Sequence, residues 1–349
     1  MTIAAHPLVA RARELADGLL SPAAERVDQE GVPASHIEAV KRSGLLGVSA
    51  PVSYGGSAAP AAVVRETAEI LAGACCSTWF VQTQHQTPVL TLAGTDLPVR
   101  ERLLGPLARG ELLSGVAYAH LRSYPRIPVR VRRAADGWRF FGTVPWYTGW
   151  GLNDVLLLAG VTEDDEALFA FVEAREQPGL RPSEPMRLAA LSASRTVSLD
   201  LDDLWVPEEA VALRTPYARW AAADRPKPRN AGPAVFGIAA AALRLVEEEY
   251  AAPLRARLGE VRRQAYELAD HPAPGEYAEE RLALRAEAFT LLRTATTAAV
   301  VAGGGRAMSL DHRAQRLARE GLFLLVQGQT SESRTAHLER LAQWHRSSG

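Results

Sequence analysis

The hydrophobic and polar positions of the chain follow three successive patterns. Residues 1–110 are typical of helices: Ser21-Pro22, for example, is a capping residue followed by a proline at the first helical position. Two further segments, 61–72 and 77–92, are rich in apolar residues and have helical lengths. This part of the sequence predicts an N-terminal α-helical domain.

From Glu111 the pattern changes to alternating and β-branched segments. Segments 129–132 and 138–141 flank Asp136-Gly137. An aspartate-glycine pair between alternating runs predicts a β-hairpin with a type I′ turn, whose two central residues have positive φ. Further short strands are predicted at 155–159, 167–172 and 196–201. Residues 111–214 are therefore predicted to form an antiparallel β domain.

The last third of the chain contains long helical segments. They are predicted at 233–269, 277–302, 309–326 and 331–345, separated by junctions rich in glycine and proline. The natural packing of four such segments is a four-helix bundle within residues 215–349. The predicted fold class is α+β, with an N-terminal helical domain, a middle antiparallel β domain and a C-terminal four-helix bundle.

Composition narrows the class of function. The 349 residues include 39 basic and 40 acidic side chains, so the chain lacks the positive surplus typical of proteins that bind nucleic acid or acidic membranes. Its two cysteines, Cys75 and Cys76, are adjacent, which predicts no disulfide framework and a reducing compartment. The sequence has no apolar stretch of membrane-spanning length and no Rossmann, P-loop or metal-binding motif. We expect a cytoplasmic protein that binds neither nucleic acid nor a membrane.

Four segments of the chain carry recognisable motifs: LLGVSAPVSYGGSA at 45–58, GWRFFGTVPWYTGWGLNDVLLLAG at 137–160, VSLDLDDLWVPEEAVAL at 197–213 and QRLAREGLFLLVQGQTSESR at 315–334. Together they resemble the acyl-CoA dehydrogenase family. They occur in the family's order and span nearly the whole chain. The resemblance implies a flavoprotein with helices, a β domain and a helix bundle in that order.

The resemblance also implies FAD as the cofactor, lying between the β domain and the C-terminal bundle. The implied substrate is an acyl thioester, carried by CoA or an acyl carrier, or a related small molecule. Such chemistry needs an aromatic or apolar wall for the flavin, a hydrogen-bond donor near flavin N5 and a base beside the α carbon. By this resemblance Trp146 would stack against the flavin, Thr148 would offer its hydroxyl to N5, and Tyr147 would contribute its backbone.

The segment from Tyr118 to Ser123 corresponds to the strand end that faces the pyrimidine side of the flavin in the family. Members usually have a threonine and a glutamate there, followed by a glycine-rich loop, whereas this chain has His120-Leu121-Arg122. The resemblance implies cofactor contacts from Tyr118, His120, Leu121 and Ser123, with backbone donors serving the flavin. His120 has two interpretations: an acid or base beside the flavin, or a structural histidine at a strand end.

The diphosphate and adenine sites are matched less completely. Family members hold the diphosphate with an arginine followed by Phe-Gly, donated by the neighbouring subunit, and here only Arg255 and Arg257 offer a partial match. Gly303 and Gly304 match a glycine-rich turn near the adenine, and Thr330 lies in a turn expected to contact the cofactor. The shared flavin site implies a homodimer or homotetramer, or a hetero-oligomer with a related chain.

The C-terminal segment lacks the family's usual catalytic base. Gln327 stands where many members have a glutamate, and an amide cannot accept a proton at neutral pH. Glu332 lies on the next helix, where a role in stabilising the helix start is expected. Three functions stay open: an FAD-dependent acyl-thioester dehydrogenase with another base, a flavin-dependent monooxygenase or oxidase of the same fold, and a non-catalytic or incomplete subunit that needs a homologous partner.

Overall fold

The computed structural model describes residues 2–346, and the first part of the chain is helical. The helices are α1 (Pro7–Leu15), α2 (Ser21–Glu30), α3 (Ala34–Arg42), α4 (Ala61–Ala74), α5 (Cys76–Thr83), α6 (Gln86–Ala93) and α7 (Val99–Ala108). A π-helical segment, Ala16–Leu20, joins α1 to α2. The seven residues Cys76–Gln82 of α5 are all buried, which places this short helix at the centre of the helical core.

The middle of the chain forms one eight-stranded sheet. Its strands are β1 (Ser114–Ala117), β2 (Val129–Ala134), β3 (Gly137–Tyr147), β4 (Val155–Thr162), β5 (Glu166–Glu173), β6 (Leu180–Pro182), β7 (Val197–Pro207) and β8 (Val211–Pro216). Their order is β6-β7-β3-β2-β4-β5-β8, and β1 also pairs with β4. Because β1 and β2 both run parallel to β4, the sheet is mixed, and the prediction of an antiparallel domain was wrong on this point. Parallel neighbours are joined by long crossovers that leave no turn signal in the sequence.

The predicted hairpin is present, but its turn differs from the prediction. Ala134 pairs with Gly137, so the turn residues are Ala135 and Asp136, and Gly137 already belongs to β3. Neither turn residue has a positive φ, which excludes the type I′ turn that the aspartate-glycine pair indicated. Gly137 serves a packing role instead, because a methyl group built on it would lie 2.3 Å from the carbonyl oxygen of Val206 on β7.

The C-terminal helices follow the sheet directly. They are α8 (Tyr217–Asp224), α9 (Pro233–Leu243), α10 (Glu248–Ala269), α11 (Ala278–Gly303), α12 (Arg313–Val326) and α13 (Ser331–Arg346). The first of the four predicted bundle segments is therefore divided into α9 and α10 by residues 244–247, and Pro253 lies within α10 without ending it. The predicted domain boundaries lie near the ends of α7 and β8, where the element type changes; the division into three domains stays a prediction.

The helices from the two ends of the chain share one core. Helix α9 is buried along nearly its whole length, and it packs against α4 at two glycines. A methyl group built on Gly237 of α9 would lie 2.1 Å from the carbonyl oxygen of Glu69, and one on Gly73 of α4 would lie 2.6 Å from the carbonyl oxygen of Gly237. The backbones therefore approach too closely for any side chain. No helix within residues 2–346 is long and apolar enough to cross a membrane.

Candidate active-site cleft

A cleft of about 470 Å³ lies where the sheet meets the helices of both ends of the chain. Strands and loops of the sheet form one wall, and the second wall consists of α5, the start of α6 and the turn between α12 and α13. The lining residues are Phe80, Thr83, Gln84, Thr87, Val116, Tyr118, Ala119, Arg122, Trp146, Thr148, Leu188, Thr196, Phe323, Val326, Gln327 and Gly328. Residues predicted from three separate sequence segments are thus neighbours in one concave site.

Trp146 is the most exposed aromatic residue of the cleft wall, with 57% of its surface accessible. Between Val144 and Tyr147, strand β3 has one residue more than the segment of β7 with which it pairs. Such a bulge turns a side chain out of the regular alternation, and here it places the indole in the cleft. Tyr147 points the other way and is fully buried, with its hydroxyl accepting a hydrogen bond from Asn153 at 2.8 Å. The predicted contact of Tyr147 with the flavin can therefore come only from its backbone.

A chain of three hydroxyl groups runs into the wall behind the cleft. The hydroxyl of Ser194 donates to the carbonyl oxygen of Leu191 at 2.7 Å, and it lies 3.0 Å from the hydroxyl of Thr196. Because Ser194 has only one proton to give, it accepts from Thr196, which in turn accepts from Thr148 at 3.1 Å. In this arrangement Thr148 presents a lone pair to the cleft rather than the proton that the sequence led us to expect.

Tyr118 lines the cleft, whereas the other predicted residues of its segment do not. Burial lowers the pKa of His120 to about 4, and its Nε2 donates to the carbonyl oxygen of Ala159 at 2.9 Å. Leu121 is also buried, and its carbonyl oxygen accepts from Tyr217 at 2.8 Å. Ser123 is exposed and does not line the cleft. The short 3₁₀ turn Ala119–Ser123 directs these side chains away from the site, so His120 is a structural histidine here.

The turn after α12 brings Gln327 to the cleft. Gln327 follows the last residue of the helix, and Gly328 has a positive φ of 61° that an L side chain rarely adopts. Thr330 does not line the cleft; its hydroxyl accepts from the backbone N–H of Ser333 at 3.2 Å and so caps α13. Gly303 and Gly304 close α11 outside the cleft, and their predicted contact with a partner's cofactor stays a prediction.

Glu332 is held away from the cleft by two arginines. Arg225 and Arg229 donate to its carboxylate at distances between 2.6 and 3.2 Å. These hydrogen bonds lower the pKa of Glu332 to about 2, so it remains ionised and is a poor proton acceptor. No aspartate, glutamate or histidine is among the described residues that line the cleft. Burial raises the pKa of Tyr118, so that its hydroxyl is also protonated at neutral pH.

Comparison with known proteins agrees with this architecture. Residues 4–111 match the acyl-CoA dehydrogenase N-terminal domain family. Butyryl-CoA dehydrogenase from Megasphaera elsdenii superposes with a TM-score of 0.80 at 18% identity, over 96% of this chain and 97% of that chain. The chain therefore has the fold of the acyl-CoA dehydrogenases, and its first 111 residues include a match to their N-terminal domain.

Two further structures show that this acyl-CoA dehydrogenase fold serves different enzymes. A glutaryl-CoA dehydrogenase from Mycobacterium smegmatis in complex with FADH2 has a TM-score of 0.75 at 19% identity, over 96% of this chain and 93% of that chain. Dibenzothiophene monooxygenase from Paenibacillus has a TM-score of 0.74 at 18% identity, over 95% and 92% of the two chains. Among proteins compared by sequence, 3-sulfinopropanoyl-CoA desulfinase from Variovorax paradoxus is 28% identical over 188 residues. That match spans 50% of this chain and 46% of the relative, or about half of each.

Several residues of the cleft were not singled out from the sequence. One is Thr196, which immediately precedes β7. The others include Phe80 and Phe323, which form an edge-to-face pair with ring centres 4.9 Å apart. Nothing in the local sequence distinguishes these from core residues, because their elements meet only in the folded chain. Arg122 carried a weak signal: it is a charged residue in the segment where the family has a glycine-rich loop.

Proposed function

We propose that the protein is an FAD-dependent oxidoreductase of small molecules, with the flavin ring against Trp146 and Thr148. The observation that carries this proposal is the position of Trp146, a largely exposed indole on the wall of a concave cleft, beside the hydroxyls of Thr148 and Thr196. Its place in a concave site with Phe80 and Phe323 distinguishes it from singly exposed apolar residues, because ligand sites are typically concave and lined by aromatic side chains. When bound, a flavin supplies an electron-accepting ring that this chain's own side chains do not provide.

The residues present fit the flavin ring chemically. Apart from Arg122, the described residues that line the cleft carry no charge, as suits a neutral aromatic ring system. Thr148 offers a hydrogen-bond acceptor within the wall, which suits a ring N–H of a flavin, and Trp146 offers a flat apolar face. Phe80 and Phe323 form an apolar patch on the opposite wall, where a short acyl or other small apolar group has room. FAD itself, rather than another flavin, is part of the proposal.

An acyl thioester is the first substrate class that we propose. Support comes from the names of similar proteins, which include a CoA-thioester desulfinase and butyryl-CoA and glutaryl-CoA dehydrogenases. The cleft argues against the usual proton abstraction, because Gln327 is neutral and none of the described lining residues is a carboxylate or an imidazole. We therefore propose chemistry that draws no base from these side chains.

A second candidate is a flavin-dependent monooxygenase. The uncharged cleft favours it, because reaction of a reduced flavin with oxygen does not require a carboxylate beside the substrate's α carbon. A monooxygenase among the structural neighbours supports the idea that the fold accommodates such chemistry. An incomplete subunit that needs a related chain is the remaining alternative, and self-association as a dimer or tetramer, like a cytoplasmic location, stays a prediction.

The visible absorption spectrum of the purified protein tests the proposal. We expect a yellow protein, or one that becomes yellow with added FAD and stays so after desalting. Anaerobic bleaching by an acyl-CoA indicates a dehydrogenase, whereas bleaching only by NADH with a reductase, followed by oxygen-dependent product formation, indicates a monooxygenase. A protein that takes up flavin only when co-expressed with a related chain is an incomplete subunit. A protein that stays colourless in every case contradicts the proposal.

Replacement of Gln327 by glutamate tests the assignment of the turn. A carboxylate at this position of the cleft is expected to exchange the α proton of a bound acyl-CoA with solvent deuterium, which mass spectrometry detects. Gln329→Glu is the matched control, because Gln329 is exposed two residues later and does not line the cleft. Equal exchange by the two variants, or none by either, would remove the support for Gln327 as the position of the family's base.

A further inference from the structure

We infer that Arg122 forms an anion subsite of the cleft that binds a phosphate or similar oxyanion of the bound ligand. The inference rests on the proposed function, since a flavin nucleotide is one carrier of such a group. It adds a polar anchor to a cleft whose other described lining residues are uncharged.

The geometry of Arg122 is that of an anchored guanidinium with one edge free. Its Nε donates to one carboxylate oxygen of Asp224 at 2.7 Å and its Nη2 to the other at 3.1 Å. The side chain of Asp224 is only 5% exposed, so the paired edge of the guanidinium faces the protein. The remaining nitrogen, Nη1, faces the turn after α12: a methyl group built on Gly328 would lie 4.0 Å from it. This bidentate pairing with the carboxylate fixes the plane of the guanidinium in the absence of a ligand.

The charges around Asp224 leave a positive surplus at the cleft. Lys227 lies 3.8 Å from the same carboxylate, so two cations share one anion. Burial lowers the pKa of Arg122, but the hydrogen bonds and charge of Asp224 outweigh this effect and raise it, which keeps the guanidinium ionised at all working pH values. A partly buried cation with unused donors binds oxyanions well, because hydrogen bonds between two charged groups are stronger than those between neutral groups.

The arginines that partially matched the family's diphosphate site are already paired within this chain. Arg255 donates to the carboxylate of Glu248 at 2.7 and 2.9 Å, and Arg257 donates to Glu287 at 2.7 Å. Both lie on α10, outside the cleft. Arg122 is the one charged residue among the described residues lining the cleft, which makes it the available partner for a phosphate.

A series of flavins with different numbers of phosphates tests the subsite. Riboflavin has none, FMN has one and FAD has two, while the ring is the same. We expect wild-type protein to bind FMN and FAD more tightly than riboflavin, and Arg122→Gln to weaken both nucleotides about tenfold or more while riboflavin affinity is unchanged, since a hydrogen bond to a charged group is lost. Arg175→Gln, the same charge change at an exposed residue outside the cleft, should preserve the preference. Fluorescence titration measures all affinities.

The outcomes separate the two proposals. If Arg122→Gln weakens riboflavin as much as FAD, the subsite is refuted while the flavin site stands. If no flavin binds to wild-type protein, the proposed function fails. The subsite is then tested by a second experiment, which compares the affinities of two CoA thioesters, one with and one without a terminal carboxylate. Loss of that discrimination in Arg122→Gln assigns the oxyanion to the substrate, and unchanged discrimination refutes the subsite there too. Should Arg122→Gln fail to fold, Arg122→Lys keeps the charge but loses the fork, and an undiminished preference for nucleotides in that variant contradicts the proposed geometry.

Discussion

Trp146 gives the most direct measurement of whether the cleft holds a flavin ring. Replacement by alanine removes the indole from the wall of the cleft without opening a hole in the core, because the ring is 57% exposed. The fold should therefore survive the change, apart from a small loss of strand propensity of at most about 1 kcal/mol. Any larger effect on flavin binding then reports contact with the indole itself.

The expected size of that effect follows from the exposed area. A tryptophan side chain offers about 250 Å² of surface, so 57% exposure leaves roughly 140 Å² in solvent. A planar ligand on one face covers about half of this, roughly 70 Å², and at about 25 cal/mol per Å² its burial contributes about 1.8 kcal/mol. Stacking of a nucleic-acid base on an aromatic side chain is worth about 1–3 kcal/mol, in the same range. We expect Trp146→Ala to raise the Kd for FAD about 20-fold.

Quenching of flavin fluorescence on binding is the assay, and Trp205→Ala is the matched control. Trp205 is a tryptophan of the same sheet, 42% exposed, whose Nε1 donates to Asp136 at 3.3 Å outside the cleft. Its replacement should leave the Kd for FAD unchanged, and thermal unfolding of both variants shows whether they remain folded. If Trp146→Ala and Trp205→Ala change the affinity equally, the indole does not stack on the flavin and the argument for the site fails.

Three further predictions concern the stability of the fold. Gly237→Ala forces a methyl group against the backbone of α4 and should lower the free energy of unfolding by about 3 kcal/mol or more. The control, Gly259→Ala, lies in open space on α10 and should raise the free energy of unfolding by about 0.5–1 kcal/mol. Equal thermal stability of the two variants would contradict the close packing of α4 against α9. Glu320→Gln removes the carboxylate that accepts a hydrogen bond from Arg316 at 2.7 Å in a fully buried pair. Urea denaturation should show that the free energy of unfolding falls by about 3 kcal/mol, because the charge of Arg316 loses this buried partner. A decrease below about 1 kcal/mol would show that the ion pair contributes little to stability. Burial lowers the pKa of His85 to about 4. The unfolded side chain is neutral above about pH 6.5, so the folded protein loses up to about 3 kcal/mol of stability as the pH falls from there toward 4. His85→Gln should reduce the difference between the urea midpoints at neutral and acidic pH, and an unchanged difference would exclude this histidine as the cause.

The sequence predicted those parts of the fold that depend on local signals. Apolar segments of helical length and glycine or proline junctions identified the helical ends of the chain, and alternation identified the strands. The parallel pairing of β1 and β2 with β4 could not be predicted, because it joins segments that no short turn connects. The turn at Asp136 was placed one residue too late, because Gly137 is required by the neighbouring strand β7 and not by the turn.

The candidate site was predictable where one short motif supplied it. Trp146, Thr148 and Gln327 were named from their motifs, and the structure brings all three to the cleft. The direction of the Thr148 hydrogen bond could not be predicted, because it depends on a carbonyl group more than forty residues away that Ser194 and Thr196 relay. The choice between the two interpretations of His120 could not be made from the sequence, because the 3₁₀ turn that rotates this side chain into the core leaves no signal in the pattern.

We expect the charge of the side chain at position 327 to affect what the free edge of Arg122 binds. Both residues line the cleft, and the Nη1 of Arg122 lies beside Gly328, the residue that follows Gln327. A carboxylate at position 327 would be an anion in the same cleft as this guanidinium, and opposite charges attract. It would then compete with any phosphate for the free edge of Arg122. Gln327→Glu should therefore weaken the binding of FAD more than the binding of riboflavin. In a protein that already carries Arg122→Gln, Gln327→Glu should cause no further loss of FAD affinity. A double-mutant cycle that shows no coupling between the two positions would mean that they act independently.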